Sequence, residues 1–147
     1  VGQIAEIDGI DRRILDVLRA DARLSVSEIA QQANVSRANA YQRLARLRGD
    51  GVIRRFTVDV DHRALGQTIT ALILMDIDQH AWRKVEATVS ELPGVEYVAL
   101  TTGTFDVVAL VRAETMETLR DVVLEKLQSM PEVRSTQTSF VLEEVSP

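Results

Sequence analysis

The stretch Ser25-Val26-Ser27-Glu28-Ile29-Ala30-Gln31-Gln32-Ala33-Asn34-Val35-Ser36-Arg37-Ala38-Asn39-Ala40 decides how the first half of the chain folds. Its first four residues have the capping-box form, a hydroxyl at the N-cap and a carboxylate three positions on, and open a short helix with Ile29, Ala30 and Ala33 turned inward. Asn34 tolerates a left-handed backbone and ends that helix, and Ser36 caps the next. This second helix places Ala40, Leu44 and Leu47 on one stripe and stops near Gly49 to Gly51. Upstream, Ile7, Ile10, Ile14, Leu15 and Leu18 recur at helical spacing, with Asp8 as N-cap and Asp11 in the positive first turn. Two helices joined by Asn34-Val35, preceded by a third, form a helix-turn-helix pattern.

The stripe opposite Ala40, Leu44 and Leu47 holds Ala38, Asn39, Gln42, Ala45 and Arg46, with Arg37 and Arg43 at its flanks. Small alanines let a helix approach a groove floor, Asn39 and Gln42 suit adenine edges, and arginines suit guanine edges or phosphates. The candidate DNA-binding residues are therefore Ser36, Arg37, Ala38, Asn39, Gln42, Arg43 and Arg46. The plainer alternative is the solvated face of an ordinary three-helix module. Charge favours the first. The whole chain carries −5, but residues 1–65 hold 11 arginines against 9 carboxylates, and residues 66–147 hold 6 basic groups against 13 acidic ones. Between Arg37 and Arg55, six arginines face only Asp50, a local excess able to neutralise phosphates. Val52 to Val60, rich in branched residues, is expected to be a short extended segment carrying Arg54 and Arg55 toward the backbone of bound DNA. The first domain spans residues 1–58, and residues 59–66 form a linker with His62 on its surface.

The second domain, residues 67–147, contains a repeat: Glu91-Leu92-Pro93-Gly94-Val95 and Ser129-Met130-Pro131-Glu132-Val133 each follow an amphipathic stretch and precede an alternating one. The pattern predicts strand Ile69 to Asp78, helix Ala81 to Glu91, strands Val95 to Thr101 and Phe105 to Ala113, helix Thr115 to Ser129 and strand Val133 to Glu143. This is the ferredoxin-like βαββαβ order, so the fold class is α+β. Helices cover one face of such a sheet. Yet Leu72 and Leu74 back the inward Ile73 and Met75, and Val108 and Leu110 back Ala109, so the other face is also apolar and needs cover. A homodimer joined face to face through these sheets supplies it; the alternative is that the first domain folds over the sheet.

The composition excludes other classes. With no cysteine there is no disulfide framework or thiolate site, and His62 and His80 alone do not build a His-rich metal site. The longest apolar run, Ala71 to Met75, is far below the roughly 20 residues of a membrane span. No charged-then-apolar leader is read, and the protein is expected to be soluble and cytoplasmic. Catalysis has only Asp106 with His80 to offer, in different elements and with no third group to orient them, so no catalytic residue, metal or cofactor is assigned.

Taken in order, these residues resemble the Lrp/AsnC (feast/famine) family of transcriptional regulators. The opening Ile7-Asp8-Gly9-Ile10-Asp11 with Ile14-Leu15, the turn Asp21-Ala22-Arg23, and Ser36 to Arg43 followed by Gly51-Val52-Ile53 resemble its DNA-binding domain. Thr102-Gly103-Thr104-Phe105-Asp106 is similar to its Gly-x-Tyr/Phe-Asp turn, and Val141 to Val145 to its terminal segment. The resemblance implies a winged helix-turn-helix domain joined to a RAM-type domain that forms dimers, assembles them to octamers and senses amino acids. It implies an effector site of Thr101, Thr102, Gly103, Thr104, Phe105 and Asp106, in which Gly103 and the backbone around Thr101 to Thr104 receive a carboxylate, Asp106 meets an ammonium, and Thr136, Gln137 and Thr138 contribute from a neighbouring subunit. Phe105 stands where many relatives have Tyr, which removes a hydroxyl. The same segment also fits a tight hairpin in which Gly103 supplies a permissive backbone and Asp106 a turn hydrogen bond.

Overall fold

The computed structural model describes residues 6–145, the side chain of Val122 apart. It divides into two compact units, the first ending at Asp59 and the second beginning at Val60. In the first, α1 (Gly9–Ala20), α2 (Val26–Ala33) and α3 (Arg37–Gly49) pack around Ile14, Leu18, Ile29, Ala33 and Leu47. Side-chain chemistry sets the boundaries. Asp8 accepts from the N–H groups of Ile10 and Asp11 while the Asp11 carboxylate accepts from the Asp8 N–H, and Ser25 and Glu28 form the same reciprocal pair at α2. Asn34 takes the left-handed conformation, φ 56°, that turns the chain from α2 toward α3. The Ser36 hydroxyl then accepts from the Asn39 N–H.

After α3 the chain departs from the expected extended segment. Val52 and Ile53 fold back onto the core, the Ile53 N–H donating to the Leu47 carbonyl at 2.9 Å. Residues 54–60 adopt neither helix nor strand. Phe56 and Val58 alternate as in a strand, but among the described residues no neighbouring strand pairs with them, so the pattern has no ladder to join.

The second unit runs β1 (Ile69–Ile77), a 3₁₀ turn at Gln79–Ala81, α4 (Trp82–Ser90), β2 (Val95–Leu100), β3 (Val107–Ala113), α5 (residues 116–129) and β4 (Val133–Phe140). The strands lie in the order β2-β3-β1-β4, all neighbours antiparallel, which is the βαββαβ arrangement. Ala71, Ile73, Met75 and Ile77 of β1 and Val107, Ala109 and Val111 of β3 meet Val85 and Val89 of α4 and Leu119, Val123 and Leu127 of α5 in one core. Burial of each larger aliphatic side chain there contributes about 1.5–3 kcal/mol.

α5 is not the uninterrupted α-helix that its spacing predicts. Between α-helical Met116–Thr118 and Glu125–Ser129 lies a π-type segment, Leu119–Leu124. The buried Leu119, Val123 and Leu127 are spaced by four, a series that a regular α-helix rotates by about 40° per step. The wider turn takes up that drift and keeps all three on the sheet.

On the sheet face away from α4 and α5, Leu72 stands across from Leu110 and Leu74 across from Val108. Arg112 lies on the same face yet is only 8% exposed. Its guanidinium donates to Glu96 at 2.7 Å, to both carboxylate oxygens of Glu144 at 2.8 and 2.9 Å, and to the Thr70 hydroxyl at 2.9 Å. Glu96 in turn stands 3.3 Å from His62, whose Nδ1 is 2.8 Å from Gln67 Oε1. His62, expected as a surface linker residue, is therefore half-buried within the second unit, and residues 61–67 form a hydrogen-bonded turn.

Gly94 precedes β2 with φ 77°, and its carbonyl accepts from the Arg112 N–H at 2.8 Å. A Cβ at this position would lie 2.0 Å from the Arg112 carbonyl oxygen, so both the backbone conformation and the space demand glycine. Gly94→Ala is expected to lower the stability of the second unit by about 2–4 kcal/mol, read as an earlier thermal transition in circular dichroism.

Candidate nucleic-acid interface and effector loop

α3 is held by Ala40 and Leu47, both fully buried, with Leu44 partly so. Its other side presents Arg37, Ala38, Gln42, Ala45 and Arg46 to solvent. Tyr41 and Arg48, which are not among the sequence-predicted contacts, are exposed there too. The available signal was the spacing of Tyr41, Ala45 and Arg48 by four and three, which puts them on one stripe beside Ala38. Arg48 lies over the ring of Phe56, 5.7 Å from its centroid, at the rim of an apolar groove of about 280 Å³ floored by Leu18, Leu24 and Ile29.

The arginines at the other flank are not free side chains. Arg43 donates through Nη1 to both carboxylate oxygens of Asp8 at 2.7 Å and to Asp11 at 2.9 Å, and through Nε to Asn39 Oδ1 at 2.8 Å. Arg46 donates to the other Asp11 oxygen at 2.5 Å and to the Glu6 carbonyl at 3.1 Å. Asp11 is 1% exposed, so the start of α1 is tied to the middle of α3 by a buried carboxylate with two guanidinium partners. Asp8, Asp11, Arg43 and Arg46 together are charge-neutral. Beside them, and next to Gln42, is an open polar depression of about 700 Å³. The hydrogen bond from Arg43 holds the Asp8 carboxyl down at about 2. For Asp11, burial opposes ionisation, but the bonds from Arg46, the Asp8 N–H and Arg43 prevail and keep it below its usual value.

In the second unit, Thr101 to Asp106 connects β2 to β3. The loop is closed by the Thr101 N–H on the Asp106 carbonyl at 2.7 Å and the Thr101 hydroxyl on the Phe105 carbonyl at 2.6 Å. Thr102, Gly103 and Thr104 are exposed at its tip, with open space beside Gly103. Asp106 turns inward to the end of β1, accepting from the Ile77 N–H and from the Gln79 side-chain amide, each at 3.0 Å. Its carboxyl is lowered first by the Ile77 bond, then by Gln79, against some desolvation, with Arg134 adding attraction. It is Gln79, not the neighbouring His80, that meets Asp106. Thr136 and Thr138 pair with Met75 and Ile73, and Gln137 with Leu74. Since β1 separates β3 from β4, this segment is not brought to the Thr102–Thr104 tip by the sheet of one chain.

Comparison with known proteins places both units. Residues 7–54 match the winged helix-turn-helix DNA-binding family, and residues 70–147 match the Lrp/AsnC ligand binding domain. The HTH-type transcriptional regulator AldR of Mycolicibacterium smegmatis is 34% identical over 141 residues, 94% of this chain and 82% of that protein. An HTH-type transcriptional regulator of Pyrococcus abyssi is 34% identical over 136 residues, 92% and 86% of the two chains. Among solved structures, a transcriptional regulator of Neisseria meningitidis in complex with L-Met superposes with TM-score 0.86 at 26% identity, covering 97% of this chain and 94% of that one. AsnC of E. coli gives 0.82 at 28% identity, with 95% of each chain covered. A helix-turn-helix followed by a βαββαβ ligand-binding domain defines a DNA-binding transcriptional regulator rather than an enzyme. The chain belongs to the Lrp/AsnC family of HTH-type transcriptional regulators. Among the described residues no helix is long and apolar enough to cross a membrane.

The acidic pair gives the first unit a pH signature. Carboxylates whose folded pKa is depressed stabilise the fold fully above their ordinary value of 3.8; the Asp8 contribution is lost as pH falls from there toward about 2, and that of Asp11 is likewise lost as pH falls below its ordinary value. Thermal unfolding of the first unit should therefore weaken between pH 4 and pH 2. Asp11→Asn should cost on the order of 2–3 kcal/mol at pH 7, because it leaves Arg43 and Arg46 without their shared partner, and should flatten part of the acid dependence.

Proposed function

We propose that the chain is a sequence-specific regulator that reads duplex DNA with the outward face of α3 and responds through its second unit to an amino acid or a related small molecule. The observation that carries the first part is a capped helix buried on one stripe by Ala40 and Leu47 while Arg37, Ala38 and Gln42 stand in solvent on the other. In this assignment Ser36 fixes the helix entry, Ala38 permits close approach, and Gln42 meets a base edge. Arg37 meets guanine or phosphate, and Asn39, Arg43 and Arg46 border the contact from the polar depression. Exposed Arg54 and Arg55 supply further positive charge.

Two copies joined through the apolar sheet face of Leu72, Leu74, Val108 and Leu110 would bring two α3 helices into one assembly. Operators would then be imperfect palindromes with half-sites about one helical turn apart or a multiple of it. Assembly of such dimers to an octamer follows the family resemblance. An effector would sit at Thr101 to Asp106, with Thr136, Gln137 and Thr138 of a second copy completing the site, and the L-Met complex of the Neisseria relative supports an amino acid as its class. With Asp106 bonded to Ile77 and Gln79, the backbone near Gly103 is the better-suited contact for a ligand carboxylate. A ligand between dimers acts by shifting the assembly equilibrium, provided it binds the assemblies unequally.

A second reading, an architectural protein that bends DNA with little sequence preference, is favoured by the exposed arginines Arg37, Arg48, Arg54 and Arg55. Competition separates them. A specific regulator should prefer its operator over random duplex by about 1,000-fold or more, and a ratio near one selects the architectural reading. Gln42→Ala should change base preference with little effect on salt dependence, whereas Arg37→Ala should flatten the salt slope if that residue meets phosphate. For the effector, light scattering with each of the twenty amino acids should show a change in assembly size for at least one, accompanied by a thermal shift. No change in size, melting or DNA affinity with any of them removes the amino-acid assignment.

A further inference from the structure

We infer that Asp8 is an internal stand-in for a DNA phosphate: by holding the Arg43 guanidinium it withholds one positive charge from the nucleic-acid face and limits sequence-independent binding. The inference rests on the reading that α3 contacts DNA.

Three observations single out Asp8. First, its carboxylate is 53% exposed, and both oxygens lie 2.7 Å from Arg43 Nη1, the kind of charge-assisted contact that a phosphate oxygen makes with arginine. Second, Arg43 has other anchors: Asp11 at 2.9 Å and Asn39 at 2.8 Å hold the same guanidinium from the buried side. Third, capping α1 needs only a side-chain acceptor for the Ile10 and Asp11 N–H groups, which Asn or Ser supplies about as well as Asp. Neither the cap nor the placing of Arg43 depends on the negative charge at position 8. Beyond the stability of its ion pair, what that charge does is neutralise.

With Asp8 in place, its charge offsets that of Arg43 beside Gln42, while Arg46 lies between Asp11 and, at 3.9 Å, Asp50. Without it, the network gains one unit of positive charge at an exposed edge. A phosphate meeting Arg43 must displace Asp8, and that cost falls on every duplex whatever its sequence. Base contacts from the same helix then account for a larger share of the binding that remains.

The test uses the full chain and a random-sequence duplex, with affinity followed by fluorescence anisotropy over a range of salt concentrations. Asp8→Asn and Asp8→Ser, both able to cap, should each tighten binding roughly 3- to 10-fold and steepen the salt slope by about 0.9 per chain. The gain should disappear when Arg43→Gln is added, with thermal melts confirming that all variants fold. A gain that persists in D8N/R43Q means that removing any nearby negative charge suffices, and it overturns the assignment to Arg43. Unchanged affinity and slope in D8N and D8S, while Arg37→Ala flattens the slope, overturns the role of Asp8 and leaves the α3 reading standing. If neither Asp8 nor Arg37 variants move the slope, both fall together.

Discussion

The first unit depends on a carboxylate taken out of water. Asp11 sits in the first turn of α1, where it closes a capping box, and from that position it also receives the guanidinium groups of Arg43 and Arg46 from α3. A buried ionised group is tolerable only when its partners are well placed, and breaking such a set costs more than forming it yields. The consequence is geometric. The helix that faces solvent is indexed against the helix behind it by fixed polar contacts as well as by Ile14 and Leu47, so sliding or rolling α3 would strand a charge. Hydrophobic packing also sets a register, but a less exclusive one, because aliphatic side chains of similar volume repack at modest cost.

The same network reassigns the arginines. A count of charges along the chain treats all six between Arg37 and Arg55 alike. In the structure Arg43 and Arg46 are both engaged by Asp11, Arg46 while still exposed, whereas Arg37, Arg48, Arg54 and Arg55 stand at the surface away from that carboxylate. The partner responsible, Asp11, is more than thirty residues away in sequence, and its acidic first-turn position is fully explained by the helix dipole and cap. Nothing in a one-dimensional pattern distinguishes a carboxylate that only caps from one that caps and also bridges.

Elsewhere, legibility followed the range of the interactions. Helix boundaries in the first unit rest on residues within four positions of each other, and Asp8, Ser25, Asn34 and Ser36 stand where the sequence places them. The βαββαβ succession of elements was readable from alternation and from the repeated Pro-containing turns. Three features were not. The π-type turn in α5 answers to the sheet beneath it, the segment after α3 lacks the partner strand that its pattern invites, and His62 is drawn in by Glu96. In the loop before β3, the sequence left Asp106 open between a ligand contact and a turn bond; its carboxylate does make bonds to the end of β1.

Arg112 has a wider consequence. One guanidinium answers both to Glu144, beyond the last strand, and through Glu96 to His62, ahead of the first. The entrance and exit of the sheet are therefore mechanically coupled, although some eighty residues of chain separate them. Altering the segment at Glu144 is not a neutral manipulation here: it would slacken the segment where the second unit begins.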